Sequence, residues 1–313
     1  MPRARANGIE LEYELFGSEG GQPLLLIMGL GAQMILWDEE FCAALAARGY
    51  RVIRFDNRDV GLSTKVDGWR ALDLAAALAA FALGRPVAAP YTLSDMAADA
   101  AGLLDALDIA AAHVVGASLG GMIAQTLAIE HPARVRSLTS IMSTTGDREL
   151  PPARPEAAAA LLEPPPRDRE GAMARAVKVF RTIGSPGFPF DEARVRTRAG
   201  RSYDRCFHPA GVARQMLAIL ASGSRADALR RLRVPTLVIH GSDDPLVPVA
   251  HGIETAALVP GAELLVIEGM GHDLPRAVWP RVIEAIGGLT ARAGDGRGRA
   301  AASRRASSSS RPR

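Results

Sequence analysis

Short, continuously apolar runs recur along the chain: "PLLLIM" (23–28), "RVIRFD" (51–56), "AHVVGA" (112–117), "RSLTSIM" (136–142), "VPTLVIH" (234–240) and "AELLVIE" (262–268). Each has strand length and little polar alternation, the pattern of a strand covered on both faces. Helical stretches separate most of them. "WDEEFCAALAARG" (37–49) opens with acids and closes on Gly49; "TLSDMAADAAGLLDALD" (92–108) starts at a capping Ser94 or Asp95; "LGGMIAQTLAIEHP" (119–132) stops at a proline. This alternation predicts an α/β fold, a mostly parallel sheet with helices on both faces. One run, "IELEYELFG" (9–17), does alternate, and predicts a half-exposed antiparallel edge strand.

The alternation breaks between about 146 and 232. "PPARPEAAAALLEPPPRDRE" is proline-rich at both ends, and the helical pieces "GAMARAVKVFRTIG" and "RSYDRCFHPAGVARQMLAILASG" follow with no strand-like run among them. The block predicts a helical lid inserted over the sheet. The division is then a first part of the core over 1–145, the lid over 146–232, a second part of the core over 233–291, and a tail over 292–313. A further apolar helix, "LDLAAALAAFALG" (72–84), precedes the serine turn described below and is placed beside the pocket entrance.

Charge sharpens the picture of the tail. The chain carries a net +3, but the segment from Arg292 to Arg313 holds seven arginines and one aspartate, a net of +6, which leaves the remainder near −3. With no apolar periodicity, that Arg/Ser-rich segment is expected to be a disordered, solvated extension rather than a nucleic-acid or membrane contact. At 313 residues and 48% hydrophobic, the rest is a globular protein with a substantial core. "MPRARANGIELEYELFG" has no apolar core of signal-peptide length, and "LAAALAAFAL" is too short to span a bilayer. Two cysteines, Cys42 and Cys206, fit free thiols in a reducing compartment, so the expected location is cytoplasmic, with no metal or cofactor implied.

The chemistry concentrates in three loops at strand ends. Gly116-Ala117-Ser118-Leu119-Gly120 fits G-x-S-x-G where an apolar run meets a helix. There the serine takes a sharp strand-to-helix turn, and small neighbours let strand and helix approach. Its hydroxyl would stand at the carboxyl end of the sheet, where open α/β sheets bind ligands. A serine needs a general base. Of six histidines, His113, His131, His208 and His251 read as structural, and His240 ends a strand whose following turn is otherwise occupied. His272, in the glycine-flanked loop "EGMGHDLP", is the candidate. A carboxylate must orient that base, and "GSDDPLVP" offers Asp243 and Asp244. An oxyanion would be met by the Leu119 N–H at a helix start and by a second N–H from the loop "GLGAQ" (29–33), whose glycines 29 and 31 would let backbone approach substrate. A dinucleotide site on "GLGAQM" lacks its third glycine, since Met34 stands there, and leaves the three loops unexplained.

These motifs resemble the α/β-hydrolase superfamily from about residue 8 to 290. "VVGASLGGMIAQTLAIEHPARV" is similar to its nucleophile elbow, "FDNRDVGLS" (55–63) to its D-x-R-G-x-G-x-S turn, and "GMGH" to its base loop. The family spacing G-x-x-D-x-x-x-P falls on Gly241, Asp244 and Pro248, so the resemblance assigns the acid to Asp244, the base to His272 and the nucleophile to Ser118. Within the family, "MGLGAQMILWDEEF" and "PYTLSDMAADAAGLLDAL" look most like bacterial carboxylesterases related to aclacinomycin methylesterases. Two departures stand out. Met28-Gly29 replaces the usual His-Gly, which leaves the Leu30 N–H as the second oxyanion donor, and Arg58-Asp59 replaces Arg-Gly. Asp56, Arg58 and Asp59 then form a structural network behind the site. The resemblance implies hydrolysis of a small, hydrophobic ester through an acyl-enzyme, with Phe180, Phe188, Phe190, Tyr203 and Phe207 supplying lid aromatics, perhydrolase, lactonase or peptidase chemistry as alternatives on the same triad, and a non-catalytic binding protein as the rival.

Overall fold

The structure, a computed structural model, describes residues 2–66 and 74–308, those after Gly294 as backbone only. The chain begins with strands β1 (Arg3–Ala6), β2 (Ile9–Phe16) and β3 (Gln22–Ile27), then helix α1 (Glu39–Ala46) and strand β4 (Tyr50–Phe55). Helices α2 (Leu74–Ala82) and α3 (Leu93–Ala106) lead to β5 (Ala112–Ala117), α4 (Leu119–Glu130) and β6 (Val135–Ile141). Four helices follow without a strand: α5 (Pro155–Leu162), α6 (Arg169–Ile183), α7 (Glu192–Arg205) and α8 (Pro209–Ser222). The chain returns through α9 (Ala226–Leu229), β7 (Thr236–Gly241), α10 (Ala250–Leu258), β8 (Glu263–Ile267) and α11 (Trp279–Ser308).

The strands form one sheet in the order β1-β2-β4-β3-β5-β6-β7-β8, antiparallel at β1–β2–β4 and parallel from β4 onward. Its inner apolar runs are buried on both faces, as their continuity demands, whereas β8, expected to be covered likewise, is an edge strand with Leu264 exposed. Leu25 and Ile27 of β3 join Val114 of β5 in one core with α3 and α4. Leu24 and Leu26 face the other way, with Val115, Phe41 and Leu45 of α1 and Val282 and Ile286 of α11. A parallel sheet buried like this is the expected α/β-hydrolase architecture, with α5–α8 as the helical insertion.

Three details differ from the sequence reading. β2 is not the sheet edge, because β1 pairs with it in register Arg3↔Glu12 to Ala6↔Ile9; "RARA" offers only alanines to bury, too little for hydrophobic patterning to reveal. The cap of α3 is Thr92, not Ser94 or Asp95. Its side chain accepts the Asp95 N–H, and the Asp95 carboxylate accepts the Thr92 N–H, a reciprocal capping box. The apolar helix read over 72–84 is Leu74–Ala82, and its first two residues lie outside the described ones. Of the tail expected to be disordered, 292–313, residues as far as Ser308 continue α11, and the last five lie outside the described ones. No helix among the described residues is long and apolar enough to cross a membrane.

Both cysteines are free, but they differ in environment. Burial pushes the Cys42 thiol up to about 12, while Cys206 is half-exposed at the end of α7. A maleimide at neutral pH should therefore label Cys206 alone in the folded chain, since the thiolate is the reactive form. Both should react after unfolding. Equal labelling rates for the two in the native state would contradict this burial.

Candidate active site

Because β3, β5, β6, β7 and β8 run parallel, the loops that leave β3, β5, β7 and β8 share one edge of the sheet. The order reverses between β3 and β5, where open α/β sheets form their ligand crevice. Ser118 sits there. Between 111 and 128 it is the single residue that is not buried. Its backbone has φ 55 and ψ −121, a conformation that costs on the order of 1–3 kcal/mol for a residue with a side chain.

The surroundings hold it there. Ser118 N–H donates to the Ile141 carbonyl at 2.9 Å, and the Ser118 carbonyl accepts from Gly121 N–H at 2.9 Å, Met122 N–H at 3.2 Å and the Ser143 hydroxyl at 2.8 Å. The flanking glycines are a steric requirement. A Cβ on Gly116 would collide with the Gly120 carbonyl, and one on Gly120 with the Ile27 carbonyl. So β5 and the start of α4 approach closer than any side chain permits.

The three candidate residues converge. His272 Nε2 lies 3.0 Å from Ser118 Oγ, and His272 Nδ1 lies 2.7 Å from Asp244 Oδ2. A carboxylate only accepts, so Nδ1 carries the proton and Nε2 is free to accept the serine hydroxyl's. Asp244 is turned toward the histidine by its own loop: Oδ1 accepts the Leu246 and Val247 N–H groups at 2.9 and 2.8 Å. Asp243 points elsewhere. Its Oδ2 accepts the Ser242 hydroxyl at 2.6 Å, a partner the sequence reading did not foresee, and its N–H donates to the Met270 carbonyl.

The two N–H groups expected at the oxyanion flank this serine. Leu119 opens α4, so its N–H has no intrahelical acceptor, and Leu30 follows Gly29, which packs on Ser118. A Cβ on Gly29 would sit 3.1 Å from Ser118 Cβ, so glycine leaves this approach open. Gly31 meets the lid as well. It has φ +64, its N–H donates to Gln215 Oε1 at 2.8 Å, and a Cβ there would run into Val212 of α8. It also lines the cavity that reaches Ser118.

The lid is fastened to both site loops. Arg205 reaches the buried Asp56 at 2.6 Å, and Arg214 pairs with the buried Asp59 through two bonds of 2.8 and 2.7 Å. Gln33 Nε2 donates to the Ser202 and Cys206 carbonyls at 2.7 and 2.9 Å. Asp56 also accepts the Met34 and Leu62 N–H groups, Arg58 pairs with Asp99 at 2.6 Å, and Tyr91 donates to Asp59. These three residues are a scaffold tying turn, lid and α3 together. On the other side, His272 N–H donates to the Ile183 carbonyl at 2.7 Å, Gly271 N–H to Ser185 Oγ at 2.9 Å and Gly187 N–H to the Gly269 carbonyl at 2.9 Å. Ser185 in turn donates to Asp273. This clasp escaped the sequence reading, because nothing in "IGSPGFP" announces which loop it will meet.

Beneath the lid lies a cavity of about 1230 Å³ that reaches Ser118 and His272. All five lid aromatics line it: Phe180, Phe188, Phe190, Tyr203 and Phe207. Four of the other five histidines have ring partners. His113 bonds Ser137, His208 accepts from Arg214, His251 bonds Thr144, and His240 donates to the Val247 carbonyl. Among the described residues no group of three or more His, Cys, Asp or Glu side chains is arranged to hold a metal ion.

Comparison with known proteins places this fold in a family. Residues 22–275 match the family model described as alpha/beta hydrolase fold, and the chain belongs to that family. It is 32% identical over 304 residues to rhodomycin D methylesterase DnrP of Streptomyces peucetius, covering 89% of this chain and 94% of that one. Among solved structures it resembles a thermophilic esterase from Thermogutta terrifontis, with TM-score 0.69 and 26% identity over 94% of this chain and 99% of the other. The enol-lactonase from Burkholderia xenovorans shares the fold, with TM-score 0.70 and 23% identity over 92% and 99% of the two chains.

The packing of the turn makes a sharp stability prediction. Gly120→Ala should destabilise the fold by about 1–3 kcal/mol or more in denaturant titration, because backbone rather than a flexible side chain blocks the new methyl. Gly20→Ala, with open space around it, is the control and should change little. Similar midpoints for the two variants would show that the strand and helix have room to separate.

Proposed function

We propose that the chain is a serine hydrolase that cleaves a carboxylic ester through an acyl-enzyme, with Ser118 as nucleophile, His272 as base and Asp244 as the group that orients it. The observation that carries this reading is the unbroken relay of 3.0 and 2.7 Å from a strained, accessible serine to a fully buried carboxylate. As the Ser118 oxygen attacks the ester carbonyl, His272 Nε2 takes its proton. The carbonyl oxygen becomes an oxyanion and is met by the Leu30 and Leu119 N–H groups, each such donor being worth about 10²–10³ in rate. The tetrahedral species then collapses. The alcohol leaves with the proton from His272, and the acyl group stays on Ser118. Water then repeats the sequence: it gives a proton to His272, attacks the acyl carbon, and releases the acid as the proton returns to Ser118.

The cavity bears on the substrate. At about 1230 Å³ it far exceeds what a short acyl chain fills, and its walls are rich in aromatic and aliphatic side chains. Relatives named as methylesterases point the same way, toward an ester of a small alcohol with a large, apolar acid part. The lid fixes that preference, since Phe180 and Phe188 line the cavity from α6 and the loop after it.

Three outcomes test this. Ser118→Ala should fold normally, lose ester turnover and no longer react with a fluorophosphonate; persistent labelling of the variant would remove Ser118 from the nucleophile's role. Asp244→Asn should lower kcat by as much as about 10⁴-fold with little change in KM, because the histidine loses its orienting acceptor. Asp243→Asn should cost about tenfold or less on the same ester. The reverse ranking would place the acid one residue earlier. Finally, Phe188→Ala should change the ratio of kcat/KM between a small and a bulky acyl ester by about 1–3 kcal/mol. An equal loss on both would assign this ring to lid packing alone.

A further inference from the structure

His240 has no part in the relay, yet it is the best-buried histidine of the chain. It lies in β7, four residues before Asp244, with none of its side chain exposed. Its Nε2 is 2.7 Å from the Val247 carbonyl, which only accepts, so Nε2 carries the ring's proton. Burial pushes the ring's pKa down, which keeps it neutral. Nδ1 has no partner and rests against Gly252 of α10, where a Cβ would come within 2.5 Å of it. The titratable groups that face the ring are Asp244 from its own loop, His251 from α10 and His272 from the loop after β8.

A buried ring with one nitrogen unpaired costs stability, so packing alone does not account for a histidine here. What the other nitrogen holds does account for it. Val247 supplies one of the two N–H groups that grip Asp244 Oδ1, at 2.8 Å, and its carbonyl is the acceptor for His240. The remaining carboxylate oxygen, Oδ2, takes the His272 bond and lies 3.7 Å from His240 Nε2, so the same N–H dipole faces it. One ring therefore braces the acid loop and sits beside the oxygen that orients the base.

We propose that His240 is a positioning residue, which fixes the Val247 carbonyl and thereby aims the Asp244 carboxylate at His272. The proposal rests on the reading of Ser118, His272 and Asp244 as the reacting groups.

The test uses the full chain with His240→Leu, which fills the space without a donor, and His240→Gln, whose amide nitrogen reaches about as far as Nε2. Readouts are kcat and KM on p-nitrophenyl butyrate, the melting temperature, and the low-field proton NMR signal of His272 Nδ1–H. His240→Leu should lower kcat about 10- to 100-fold with KM nearly unchanged, since a misaligned catalytic group is that costly, and should shift or lose the low-field signal. His240→Gln should keep the signal and most of kcat. Should the leucine variant fail to fold, His240→Asn, too short to reach Val247, replaces it with the same expectation. Wild-type kcat and an unmoved signal in the leucine or asparagine variant would overturn the proposal, as would equal damage from glutamine. A wild-type chain with no ester turnover would sink the hydrolase reading instead, and the NMR signal would still judge His240.

Discussion

Everything at this site depends on one strained residue. At φ 55 and ψ −121, Ser118 lets the chain turn from β5 into α4 without an intervening loop, which projects its hydroxyl beyond the sheet edge while its neighbours stay buried. Such a conformation survives only where the surroundings over-determine it. Here the glycines at 116 and 120 remove the side chains that would force strand and helix apart, and Ser143 and the first turn of α4 saturate the Ser118 carbonyl. The same turn leaves the Leu119 N–H at the positive end of a helix, without an intrahelical acceptor. The proposed nucleophile and one proposed oxyanion donor thus come from one backbone feature.

The remaining parts are brought to that hydroxyl by parallel strands and then locked by the lid. His272 and Asp244 come from loops after adjacent strands, β8 and β7, so a bond of 2.7 Å between them follows from the register Gly241↔Ile267. The lid adds more than a roof. It grips the His272 loop through Ile183, Ser185 and Gly187, and the Leu30 loop through Gln215 and Val212. Buried ion pairs to Asp56 and Asp59 set its seat on the core. Because charges removed from water tolerate poor geometry badly, these pairs fix where α7 and α8 sit more than how strongly they bind. Cavity shape and site geometry are therefore coupled: a change in the lid's seat moves the loops that carry His272 and Leu30.

Much of this was legible in the sequence, for reasons that differ by residue. Parallel strands leave continuous apolar runs and β2 leaves a strict alternation, so seven of the eight strands and the α/β class were readable. The Ser118 turn was readable because its signal is local: a serine, small residues and a strand-to-helix change all fall within a few positions. Asp244 needed spacing to Gly241 and Pro248, since Asp243 has the same chemistry one residue away. What stayed hidden is what depends on distant contacts. β1 has almost nothing apolar to mark it. The purpose of Gly31 depends on Val212, and the clasp of Ser185 to Gly271 joins segments 86 residues apart. His240 was set aside because its turn looked occupied, and its partner there is the Val247 carbonyl of the loop that carries Asp244.

Ser118, Leu30 and Leu119 are proposed to form one preorganised site for an acyl-transfer transition state. The most direct measurement is a crystal structure of the chain after reaction with an alkyl phosphonate, whose tetrahedral phosphorus stands in for the attacked carbonyl carbon. The account predicts a covalent bond from phosphorus to Ser118 Oγ, with the phosphoryl oxygen about 2.7–3.1 Å from both the Leu30 and the Leu119 nitrogens. An adduct on another residue, or a phosphoryl oxygen turned away from these two groups, would contradict it.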